Sequence, residues 1–204
     1  MIAIIGGIDS GARASASGTT VAQVGRAAVD AGAAVEVVGV VAVGTQGDRL
    51  LGELARERLG HAAVLRSAAD SLEAADLALA LRYLPDLRVL VLLGVAAALL
   101  PAAVEGAAFA GARVVVVTGD EAVPAGLPDD AIVLQAPVGD GAGSTGGFVG
   151  HLAARLDAGA ALADAWAETV ALLAVESSGG WLAGASPPPS ESEERLTSEV
   201  AEPR

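Results

Sequence analysis

The sequence predicts an α/β protein of three layers, a mainly parallel sheet held between two sets of helices. Three observations carry this. Short runs of aliphatic and β-branched residues alternate with longer amphipathic stretches along the chain. The short runs are apolar at nearly every position, as in strands covered on both faces. Glycines, small polar residues and helix-capping types mark the joints between the two kinds of segment.

Taken in order, residues 2–5 form a short apolar strand ending at Gly6-Gly7, and residues 11–18 are small and polar, a loop. Residues 19–31 read as a helix with Val21, Val24 and Ala28 on one face and Gly32 as its stop. Residues 35–41, almost all β-branched, are a buried strand. Asp48 can cap the next helix, in which Leu50, Leu51 and Leu54 face inward. Residues 62–65 are a weak strand, and Ser71 can cap a helix running to Leu84. Residues 88–93 are the clearest strand, followed by a helix over 100–110 and a strand over 114–117. The loop to Ala131 carries Pro124 and Pro128 and is too broken for a crossover helix. The last strand, in the apolar run 131–136, is therefore expected to join as an antiparallel hairpin at the C-terminal edge of the sheet. Helices over 148–158 and 162–176 follow, separated by Gly159.

The 204 residues suit one medium domain, expected over 1–182, with an acidic, proline-rich tail over 183–204 expected to be disordered. Gly94 and Pro101 interrupt the longest apolar stretch, so no membrane span is expected. Met1 leads directly into the first strand with no basic segment before it, which points to the cytoplasm. Without cysteine there is no disulfide and no thiolate chemistry. A formal charge of −13, scattered and with arginine as the sole basic type besides histidine, opposes nucleic acid and anionic membranes. Aromatic residues at 2% leave no platform for stacking bases.

The chemistry concentrates in residues 138–150, where an apolar strand enters a glycine-rich loop and a helix leaves it. Strand, loop and helix start aim backbone N–H groups and the positive end of a helix dipole at one spot, which suits a phosphate. The plain alternative is a turn. Gly141, Gly143 and Gly146 match the dinucleotide pattern G-x-G-x-x-G, but a strand should follow that helix and none does. A P-loop is excluded because the chain has no lysine. No metal site is expected, since His61 and His151 each lack a ligand partner at helical spacing. Ser144 and Thr145 have no histidine placed to activate them and suit phosphate binding or capping instead. Trp166 and Trp181 read as packing residues.

The run Asp140 to Phe148 resembles the C-terminal signature of the ribokinase-like, or PfkB, carbohydrate kinases, Asp-Thr-Thr-Gly-Ala-Gly-Asp-Ala-Phe. Residues 114–119, ending Thr118-Gly119, resemble the strand and turn before that family's nucleotide site. Ser17-Gly18, Gly32-Ala33 and residues 39–51 resemble its N-terminal motifs in spacing. The resemblance implies a three-layer ribokinase-like sheet and ATP-dependent phosphoryl transfer to a sugar or small alcohol, with ATP and Mg²⁺ as cofactors. It puts phosphates on Gly141, Gly143, Ser144, Thr145, Gly146, Gly147, Thr118 and Gly119. Asp9, Gly18 and Gln23 fall to the substrate side.

The departures bear on activity. Gly146 stands where the family has its catalytic aspartate, or Ser144 does in the register that sets Gly141 to Gly143 on Gly-Ala-Gly. A positioned base contributes roughly 10²–10⁴ in rate. Asp140 is the remaining carboxylate in the loop and the stand-in base. Gly44 replaces another aspartate, Ala22 or Gln23 replaces an asparagine, and no strands of a lid fit between Asp9 and Ser17. Two readings follow: a minimal kinase, or a catalytically dead kinase-like module that binds a nucleotide, a phosphorylated small molecule or a partner chain. An uncovered sheet edge at the missing lid also suggests a homodimer.

Overall fold

The computed structural model describes residues 1–7, 20–68, 71–119, 122–136 and 144–176. Six strands form one sheet: β1 (Ile2–Gly6), β2 (Val35–Ala42), β3 (Gly60–Ser67), β4 (Val89–Leu93), β5 (Arg113–Thr118) and β6 (Ile132–Gln135). The helices are α1 (Val21–Asp30), α2 (Thr45–Arg56), α3 (Ala74–Arg82), α4 (Leu100–Ala110), α5 (Ser144–Asp157) and α6 (Leu162–Glu176). The spatial order is β3-β2-β1-β4-β5-β6, and every neighbouring pair is parallel.

The pleat sorts each strand's side chains between two cores. Ile2, Ile4, Val89, Val91, Leu93, Val115 and Val117 point into a core shared with α1, α2, α5 and α6. Ala3, Ile5, Leu90, Leu92, Val114 and Val116 point into a second core with Leu77 and Leu81 of α3 and Leu100 and Ala103 of α4. Helices therefore cover both faces of a parallel sheet. No helix among the described residues is long and apolar enough to cross a membrane.

The expected hairpin is corrected. Val115 to Thr118 of β5 pair in parallel register with Ile132 to Gln135 of β6. A parallel pair needs a crossover of about a dozen residues, and that length reaches ~40 Å when extended. The stretch between the strands has that length, so it returns the chain to the opposite edge of the sheet with no helix among its described residues. Three helix starts also move. Helix α2 begins at Thr45 behind Gly44, whose φ of 116° is the left-handed region that glycine tolerates. Asp48 lies in its first turn and pairs with Arg66 at 2.5 Å instead of capping it. Glu73, not Ser71, precedes α3, and α5 starts at Ser144, four residues before the apolar periodicity begins.

The weak strand over 62–65 becomes the eight-residue β3 because β2 lends it a side chain. The register shifts between Glu36 and Val38, and the Glu36 carboxylate accepts a hydrogen bond from Ala63 N at 3.0 Å. A side-chain acceptor thus serves a backbone donor that the bulge takes off the ladder. The 183–204 tail and residues 8–19 between β1 and α1, where the sequence leaves no room for the strands of a lid, lie outside the described residues.

Candidate functional site

The strand order reverses direction between β1 and β4, and in doubly wound sheets a crevice opens there, beyond the carboxyl ends of the strands. Helix α1 follows β1 on one side of this point. Helix α5 packs against α1, β1 and β4, so both helices straddle it. Their directions follow from their contacts. A Cβ on Gly146 would stand 2.7 Å from Gln23 Cβ, and one on Gly150 would stand 2.4 Å from Val24 O and 2.6 Å from Ala27 Cβ. The helices therefore run side by side and parallel, with their first turns together. At the other end of α5, Arg88, just before β4, donates to Asp157 O at 3.1 Å. The N-termini of both helices thus lie at the carboxyl edge of the sheet.

Thr20 and Gln23 close the start of α1 as a capping box. Thr20 Oγ1 accepts from Gln23 N at 3.2 Å, and Gln23 Oε1 accepts from Thr20 N at 2.9 Å. This occupies two of the four orphan amides of a helix start, and those of Val21 and Ala22 have no hydrogen bond among the described residues. Neither α1 nor α5 carries an acidic residue in its first turn, so two positive dipole ends adjoin.

The four described residues of the glycine-rich run have different settings. Ser144 opens α5, and Thr145 is 2% exposed beneath it. Gly146 is the contact with α1, where any side chain would collide with Gln23. A Cβ on Gly147 would meet nothing within 4 Å among the described residues. This arrangement bears on the two alignment registers: position 146 faces a helix and has no room for a carboxylate, whereas position 144 begins the helix and holds serine. Phe148 turns inward and meets Trp166 of α6 edge to face, with ring centroids 4.9 Å apart.

Gln23 is brought to the same place, its carbonyl engaged in the cap. Thr118 and Gly119 are buried at the carboxyl end of β5, where Thr118 O accepts from Ala136 N at 2.8 Å. They share the sheet edge with the helix starts but hydrogen-bond to neither among the described residues. Asp140, Gly141, Gly143, Asp9, Gly18 and Trp181 lie outside the described residues. The described residues contain no group of three or more His, Asp or Glu able to hold a metal ion.

Two residues of this region escaped the sequence. Gly150 brings α5 against the backbone of α1, and its signal was the spacing from Gly146, since residues four apart in a helix share a face. Gly6 sits where β1 ends, with a Cβ position 2.9 Å from Val21 Cγ2 and 3.1 Å from Leu93 Cβ. Only a residue lacking Cβ lets α1 start this close to the switch point.

No family model matches the sequence, and no curated protein matches it. Solved structures do share the fold. A protein named Sa239 is 13% identical with a TM-score of 0.54, over 86% of this chain and 86% of that one. The PfkB protein of Polaromonas sp. JS666 is 14% identical with a TM-score of 0.50, over 72% of this chain and 81% of that one. Fructokinase with bound ATP from Xylella fastidiosa is 17% identical with a TM-score of 0.39, over 53% of this chain and 43% of that one. The chain thus spans less than half of that fructokinase. At such identities the likeness is one of fold: the α/β architecture is similar to that of Sa239 and of the Polaromonas PfkB protein.

Proposed function

We propose that this chain is a kinase-like binding protein that holds a nucleotide or another phosphate-bearing small molecule at the joined N-termini of α1 and α5, without transferring the phosphoryl group. The observation that carries this reading is the juxtaposition itself. Two parallel helices present their first turns, free of acidic residues, at a topological switch point, and a Cβ on Gly147 would meet none of the described residues. Oriented amides and aligned dipoles attract an anion without a basic side chain. Phosphate therefore fits the residues present, and the PfkB-like fold favours ATP as its carrier. Mg²⁺ would arrive on the nucleotide and neutralise part of its charge.

The choice of binding over transfer rests on position 146. Phosphoryl transfer to an alcohol depends on positioning plus a base that accepts the hydroxyl proton. A carboxylate at 146 would collide with Gln23, and serine at 144 is a poor base at neutral pH. Transfer is the second reading, favoured by the run Asp140 to Phe148 with its single carboxylate, Asp140.

Calorimetric titration with ATP–Mg²⁺, followed by an ADP-release assay over a panel of sugars and small alcohols, separates them. Saturable binding without turnover is expected. Turnover lost in Asp140→Ala would establish the second reading, and absence of binding to ATP, ADP and pyrophosphate would reduce the loop to a structural turn.

A further inference from the structure

We draw no further inference here: the strongest candidate, the apolar groove between edge strand β3 and helix α3 lined by Leu65, Leu79 and Tyr83, carries nothing because nothing in the structure shows what covers it.

Discussion

On one face of the sheet α1 and α5 approach until glycine meets backbone, whereas on the other α3 and α4 meet through Leu81 over Gly106 and leave leucine and tyrosine in water. Phe109 on α4 adds to the second surface at 77% exposure. Both layers bury an equally apolar sheet, so the core alone does not explain the contrast. The close pair ends at the switch point, while the open pair presents side chains. The difference teaches that small residues here bring two helix starts together, whereas the other layer keeps large side chains at its surface.

The comparison breaks first at Gly150. If the closeness of α1 and α5 is structural, Gly150→Val forces atoms onto Val24 O and Ala27 and should cost about 3 kcal/mol or more, read by urea denaturation. Leu81→Ala tests the other layer. Leu81 is 1% exposed, and its truncation should cost about 3 kcal/mol, within the range for buried leucines. Comparable losses at the two sites would show that both layers are equally committed to the core.

Smaller changes sharpen the contrast at the helix starts. Thr20→Ala removes the cap of α1 and should cost about 1 kcal/mol, seen as a lower melting temperature. Gly147→Ala should have the opposite sign, stabilising by about 0.5–1 kcal/mol because the new methyl meets no neighbour within a helix. The same substitution should weaken ATP binding, since the methyl enters the space assigned to the phosphates. A gain in stability with unchanged affinity would move the ligand away from α5. Leu79→Glu, at a side chain 55% exposed, should alter stability by less than about 0.5 kcal/mol.

Much of the fold was legible because the strands are continuous apolar runs and the helices carry clear stripes. Residues 35–41 and 88–93 could be nothing but buried strands, and Val21, Val24 and Ala28 turned inward as their spacing required. The β5–β6 connection misled because the absence of a helix was taken for the absence of a crossover, whereas chain length alone allowed one. The start of α5 was set four residues late because glycine and hydroxyl residues mask helical periodicity. At the site, the glycine-rich run was visible as a phosphate cradle. Its partner α1 was not, since the contact depends on glycines at 146 and 150 meeting a helix more than a hundred residues away. No local pattern records such a meeting.

The central claim is that the joined starts of α1 and α5 hold phosphate. Amide-resolved NMR of the ¹⁵N-labelled chain, titrated with ATP–Mg²⁺ and with pyrophosphate, tests it most directly. The account predicts saturable shifts shared by both ligands and concentrated at residues 20–23 and 144–147, with α3 and α4 unmoved. Shifts that leave those two turns untouched, or gather instead at the opposite face of the sheet, would contradict it.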